Sequence, residues 1–114
     1  MYGPAIESSE VSENFTTDTL EARLLENVKS IGTIQYLYVL EVYRLGETNA
    51  CTFITSEVNA MAQVFGGGSH FLCAFADGSH LNFGSSDTWA DKENFKERAL
   101  AMAKEYVKKG SFDA

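Results

Sequence analysis

Two histidines and two cysteines are the side chains in this sequence best suited to hold a metal or to act in covalent catalysis: His70, His80, Cys51 and Cys73. They show neither CxxC nor HxxxH spacing and have no cluster of acidic ligands beside them. If His80 pairs with Ala74 across a hairpin, His70 lies roughly 13 Å further along the strand, too far to share one ion. We therefore expect no metal site and no cofactor.

The face that each of these side chains occupies depends on the hairpin turn 77–78 (Asp-Gly). A two-residue loop pairs Phe75 with His80 and divides the large apolar residues between both faces of the sheet. A three-residue loop pairs Phe75 with Ser79 and places nearly all of them on one face. We prefer the three-residue loop because it buries these residues together. It also separates Cys73 from His80, so a cysteine nucleophile activated by a histidine is not expected.

A second set of polar residues could line a pocket for a small ligand. Glu41 and Tyr43 lie on one long predicted strand, and His80 and Asn82 lie on the last predicted strand. Glu41 and His80 could act as a general acid and base if their strands are neighbours, although such pairs are more often ordinary surface polar groups. The sequence thus predicts, as an alternative, a pocket between the sheet and the C-terminal helix for a small apolar or aromatic ligand.

The glycine run 66–68 invites comparison with phosphate-binding loops. Those loops lead from a strand into the N-terminus of a helix, where the helix dipole favours an anion. Here the run follows a predicted helix and precedes a predicted strand, so the dipole has the wrong sign. The run predicts a helix C-cap and a hinge.

Hydrophobic spacing predicts three helices and four strands in the order αββαββα. The first helix would begin at a capping box formed by Asp18 and Glu21 and end at Gly32, and the last would end at Gly110. The predicted strands are 33–45, 50–55, 71–76 and 79–84, and the other predicted helices are 56–65 and 89–109. We predict an α+β fold of two layers, in which a four-stranded antiparallel sheet carries the helices on one face.

The acidic residues are concentrated near the N-terminus. Of the net charge of −7, residues 1–30 hold −4, from six acids and two bases. Residues 1–17 show no sustained hydrophobic period and predict a flexible acidic arm, followed by a single α+β domain at 18–114. An acidic chain without a cluster of Lys or Arg is not expected to bind nucleic acid or anionic membranes. With neither a secretion leader nor a membrane-length apolar run, the cytoplasm is the expected location.

The outer face of the predicted sheet is too apolar for water alone. The apolar residues assigned to it are Leu37, Val39, Ile54 and Leu72. We expect a non-enzymatic interaction or adaptor module, most simply a homodimer that buries this face, and the acidic arm could contact a further protein partner. The alternative is the small-molecule binder or small enzyme described above. A second alternative is an acidic chaperone-like protein or a DNA mimic, by analogy of size and charge.

Overall fold

A computed structural model describes residues 2–112 as one antiparallel sheet of six strands with a helix packed on one face. The strands are β1 (Ile6–Thr16), β2 (Leu20–Ser30), β3 (Tyr36–Arg44), β4 (Thr52–Val58), β5 (His70–Ala76) and β6 (Ser79–Ser86). A short helix, α1 (Ala62–Phe65), lies between β4 and β5, and a 3-10 turn (Asp87–Ala90) leads into the long helix α2 (Lys92–Lys109). The strands form a meander in chain order, so β1 and β6 are the two edges of the sheet.

The segment predicted as the first helix is strand β2, so the predicted order αββαββα and the four-stranded sheet are wrong. In β2, Leu20, Ala22 and Leu24 alternate onto the face that α2 covers, whereas Leu25 belongs to a core on the other face. Asn27 has a φ of +49° where β2 bulges against β1. Burial on both faces together with a bulge produces apolar spacing that resembles a helix.

Residues 6–16, which the sequence pattern assigned to an acidic arm, form edge strand β1 and pair with β2. The turn between the two strands is closed by the Thr17 hydroxyl, which accepts hydrogen bonds from the backbone N–H of Thr19 (3.2 Å) and of Leu20 (3.1 Å). This turn lies where the sequence suggested a helix cap. In both turns and helix starts, a Ser or Thr side chain accepts hydrogen bonds from the N–H groups two and three residues further along the chain. The two sequence patterns therefore look alike.

Helix α2 confirms the prediction for the C-terminal segment. The Asp91 carboxylate accepts a hydrogen bond from the Asn94 N–H (2.9 Å) at its start, and Gly110 ends it in the left-handed conformation with φ of +78°. The buried stripe of α2 consists of Phe95, Ala99, Met102, Ala103 and Tyr106. It packs on β2, β3 and β4, and we call this side of the sheet the helix face.

The other side of the sheet, which we call the opposite face, has its own buried cluster: Leu25, Tyr36, Val39 and Phe75. Residues 2–5 cross this face. The Tyr2 ring lies 5.3 Å from the Phe75 ring, and Gly3 packs so closely on Phe53 that a Cβ atom at position 3 would lie 2.8 Å from the Phe53 ring. The Ala5 carbonyl accepts a hydrogen bond from the Ile31 N–H (3.0 Å). Both faces of the sheet are therefore covered, which explains why its central strands carry apolar residues on both sides.

The turn between β5 and β6 also differs from the preferred prediction. Asp77 (φ +52°) and Gly78 (φ +76°) alone form the loop, so Phe75 pairs with His80 and the three-residue loop is wrong. Positive φ at both central residues is the conformation of the hairpin turn that matches the strand twist. The prediction assumed that only one face would be buried. Because both faces are buried, dividing the large apolar residues between the two faces costs little stability.

The predicted helix at 56–65 is helical only in part. Strand β4 continues to Val58, and only the four residues of α1 are helical. Gly66 ends α1 with φ of +80°, so the glycine run does follow a helix as expected. Gly68 then packs against the backbone of Ser86 at the end of β6. Within residues 2–112, no helix is both long and apolar enough to span a membrane.

Candidate functional site

Three potential metal ligands meet on the opposite face, one from each of three neighbouring strands. Glu57 lies on β4, Cys73 on β5 and His80 on β6. Each offers one ligand atom, and these three atoms lie within 4.8 Å of one another. Glu57 and Cys73 are buried, with exposed fractions of 4% and 1%, whereas His80 is in contact with solvent. We call these three residues the polar cluster.

Glu57 is the centre of the polar cluster. Its Oε2 atom accepts a hydrogen bond of 2.6 Å from the Thr55 hydroxyl and lies 2.8 Å from His80 Nε2. A carboxylate oxygen accepts hydrogen bonds, so the imidazole tautomer with its proton on Nε2 satisfies this contact. The carboxylate also accepts from the Cys73 thiol. These contacts compensate for the loss of water around a buried carboxylate and join three strands through side chains.

The His80 imidazole is held by stacking as well as by hydrogen bonding. Its ring lies 4.4 Å from the ring of Phe75, its cross-strand partner, and the two planes are 13° apart. Phe75 in turn contacts Tyr2 and Tyr36. Contact with an aromatic neighbour on one face and with a carboxylate at one nitrogen restricts the orientation of the ring, as a ligand or a base requires.

The chemistry of Cys73 excludes it as a nucleophile. Burial, and then the charge of Glu57 and its hydrogen bond to the thiol, raise the pKa of Cys73 to about 12. A reactive cysteine needs a thiolate near neutral pH and access to a substrate. Cys73 has neither, although it does lie beside His80, which the preferred hairpin register had excluded. The polar cluster is therefore better suited to coordination than to acyl transfer.

The residues predicted to line a ligand pocket are not brought together. Across the sheet Glu41 pairs with Phe53, Phe53 with Phe75, and Phe75 with His80, so Glu41 and His80 are three strands apart, roughly 14 Å. Two phenylalanine rings lie between them. Tyr43 is on β3 with Glu41, near Arg23, whose guanidinium lies 5.2 Å from the Tyr43 ring centre. Glu41 and Tyr43 are neighbours on β3, and His80 and Asn82 are neighbours on β6, but the two pairs are separate.

The residues predicted to form a dimer interface do not share a surface. Val39 is buried on the opposite face, and Ile54 and Leu72 are buried in the core under α2. Leu37 is only partly buried and lies where the pairing of β3 with β4 shifts between Tyr36 and Tyr38. This shift moves Tyr36 onto the opposite face while Tyr38 stays beneath α2, which a strict two-residue period does not predict.

Strand β6 is the edge of the sheet that carries no charged side chain. Its eight residues, SHLNFGSS, carry no Asp, Glu, Lys, Arg or Pro. Leu81 and Phe83 are 38% and 36% exposed, on the helix face of the edge. A groove of about 320 Å³ runs between β6 and α2 because α2 covers the middle strands and stops short of β6. The residues lining it are Phe83, Arg98, Ala101, Met102, Glu105 and Phe112.

Sequence reasoning missed Glu57 altogether. The available signal was a single carboxylate in an otherwise uncharged strand, TFITSEV, since a charge there is either on a solvent face or held by partners. The second signal was the hairpin turn 77–78, because the two-residue loop is what brings His80 next to the residues of β5. Comparison of the chain with protein-family models, with curated proteins and with solved structures finds no match in any of the three.

Proposed function

We propose that this chain is a protein-interaction module that forms a homodimer by antiparallel pairing of β6 with β6 of a second copy. The observation that carries the proposal is the contrast between the two sheet edges. β1 bears Glu7, Glu10 and Glu13 and has three register shifts against β2. Charges and bulges of this kind prevent an edge strand from pairing with another chain. β6 has no charged residue and therefore lacks this protection.

The backbone of β6 offers specific groups for pairing. In a two-residue hairpin the residues flanking the loop, Ala76 and Ser79, exchange backbone hydrogen bonds, and the following residues alternate. The backbone N–H and C=O groups of Ser79 and Leu81 thus point toward β5, whereas those of His80 and Asn82 point outward. The Gly84 N–H is already bonded to the Asn82 side chain (2.8 Å), and Gly84 has φ of +107°. The straight part of the edge is therefore Ser79 to Phe83.

A second copy is the partner that this edge suits best. A two-fold interface brings together the same surface of both copies. A strand without charged residues therefore meets no like charge on the second copy. Leu81 and Phe83 would add apolar contact beside the new hydrogen bonds. The groove wall on α2 carries both signs, Arg98 and Glu105, which allows opposite charges to face each other across a two-fold axis. β1 would instead bring its glutamates together.

The test compares one substitution at each edge. Leu81→Lys is expected to convert a dimer of twice the 12.6 kDa chain mass into a monomer, because it places two charges at the two-fold contact and removes apolar area. Val11→Lys is the matched control, since Val11 is 50% exposed on β1 and the change in net charge is identical. The solution mass would be measured by light scattering over a dilution series. A wild-type monomer at all concentrations, or equal loss of the dimer in both variants, would refute the proposal.

A further inference from the structure

We propose that Glu57, Cys73 and His80 form a binding site for one divalent transition-metal ion, zinc by the chemistry of its donors. A carboxylate oxygen, a thiolate sulfur and an imidazole nitrogen are the three ligand types that zinc uses in proteins. They come from neighbouring strands and lie within 4.8 Å of one another. This site goes beyond the proposed homodimer and does not depend on it, because the side chains of the polar cluster lie on the opposite face rather than at the free backbone edge.

The geometry requires only a small adjustment. Ligand atoms around tetrahedral zinc, at about 2.0 to 2.3 Å from the metal, are separated from one another by roughly 3.3 to 3.8 Å. His80 Nε2 and Glu57 Oε2 are 2.8 Å apart and would move slightly outward, whereas the widest separation in the cluster would close by about 1 Å. His80 can adjust because it is on the edge strand and in contact with solvent.

The surroundings support a cation at this point. Glu57 is a buried carboxylate whose immediate partners are a hydroxyl, a thiol and an imidazole. A metal ion would replace the protons of the Cys73 thiol and of His80 Nε2 as the partner of these atoms. The thiol proton would be released to the buffer as the sulfur–metal bond forms, and Nε2 would coordinate after the imidazole proton moves to Nδ1.

The residues around the cluster would hold the ligands in place. The Thr55 hydroxyl, 2.6 Å from Glu57 Oε2, would orient the carboxylate, and the Phe75 ring would orient the imidazole. Three protein ligands leave one position of a tetrahedral zinc ion for a water molecule or for an added ligand. The site would therefore resemble an open zinc site in its ligand count.

The experiment is a titration of the full chain with Co²⁺ followed by displacement with Zn²⁺. Tetrahedral cobalt with a thiolate ligand gives visible d–d bands and a sulfur-to-cobalt charge-transfer band, so the spectrum reports both the geometry and the sulfur. We expect one Co²⁺ per chain, loss of the bands on adding Zn²⁺, and release of one ion per chain by a chelator. Zinc should also raise the midpoint of thermal unfolding, because it binds the folded state.

The chain provides matched controls, since it has two cysteines and two histidines. His80→Ala and Cys73→Ser should each weaken binding by at least about 100-fold, because loss of a ligand should exceed the loss caused by removing a residue that only supports one. His70→Ala and Cys51→Ser should leave the affinity and the spectrum unchanged. His80 is accessible to solvent, so His80→Ala remains informative if Cys73→Ser proves unstable. Thr55→Val should weaken binding by about 10-fold.

Two results would overturn the proposal. The first is a wild-type chain that is folded by circular dichroism yet shows no cobalt bands and no zinc-dependent shift in unfolding. The cluster would then be a hydrogen-bonded link between strands and nothing more. The second is binding that disappears in His70→Ala or Cys51→Ser while His80→Ala retains it, which would place the metal elsewhere in the chain.

Discussion

Replacing Phe95 with alanine is expected to lower the free energy of unfolding by about 3 to 5 kcal/mol, a large part of the total stability of a domain of this size. Phe95 is fully buried in the core between α2 and the sheet, and its ring stacks on that of Tyr38 at 5.6 Å. The substitution removes the transfer free energy of the ring and leaves a cavity that the helix and the strands cannot close completely. Urea denaturation followed by circular dichroism measures the change.

Phe65→Ala is the control for Phe95→Ala. Phe65 also lies in a helix, but its exposed fraction is 80%, so the same chemical change should alter stability by less than about 0.5 kcal/mol. If both variants lost similar stability, or if Phe95→Ala lost less than about 1 kcal/mol, α2 would not be packed on the sheet through Phe95.

Replacing Gly68 with alanine is expected to lower stability by at least about 3 kcal/mol, or to detach the β4–β5 connection from the end of β6. A Cβ atom at Gly68 would lie 2.1 Å from the Ser86 Cα and 2.2 Å from the Ser86 nitrogen. These are backbone atoms that cannot rotate away as a side chain would. The Gly68 N–H also donates a hydrogen bond to the Ser85 hydroxyl (3.1 Å). Moving Gly68 away from Ser86 would break this bond.

Gly32→Ala provides the comparison. No atom lies within 4 Å of the added methyl group at Gly32, and its φ is not in the left-handed region, so stability should stay the same or rise slightly. Thermal unfolding of the two variants side by side measures the difference. Equal midpoints would show that residues 66–69 do not pack on the end of β6.

Helix α2, which sequence analysis predicted correctly, has one buried face. Helix α2 has a single apolar stripe, a capping acid and a terminal glycine, and each signal points to the same element. Strands β3, β5 and β6 were also expected near their observed positions, because β3 and β5 are rich in aromatic and aliphatic residues and the hairpin turn 77–78 separates β5 from β6.

Two of the errors, the helix predicted in place of β2 and the register of the hairpin turn 77–78, have one physical cause, which is burial of the sheet on both sides. In β2, Leu24 and Leu25 are adjacent in sequence and both buried, on opposite faces, so the alternation expected of a half-exposed strand is lost. The same assumption led to the wrong register for the hairpin turn 77–78 and thereby separated Cys73 from His80. Short-range patterns do not show that residues 2–5 cover the opposite face, because that contact joins distant parts of the chain.

The candidate site depends on contacts that are equally distant in sequence. Glu57 and His80 are 23 residues apart, and they meet because β4, β5 and β6 are consecutive in the meander. No local spacing identifies such a group of ligands. Conversely, Glu41 and His80 fall in the same row across the sheet yet remain three strands apart, so sharing a face was not sufficient to form a pocket.

The most direct test of the proposed homodimer is amide hydrogen exchange of the wild-type chain at high and low concentration, with the solution mass measured in parallel. We expect a dimer at high concentration in which the outward N–H groups of His80 and Asn82 exchange slowly, and faster exchange at these two positions on dilution. The N–H groups of β1 should exchange at the same rate throughout. A dimer whose β6 amides exchange equally fast at every concentration would contradict the account, as would a monomer at the highest concentration.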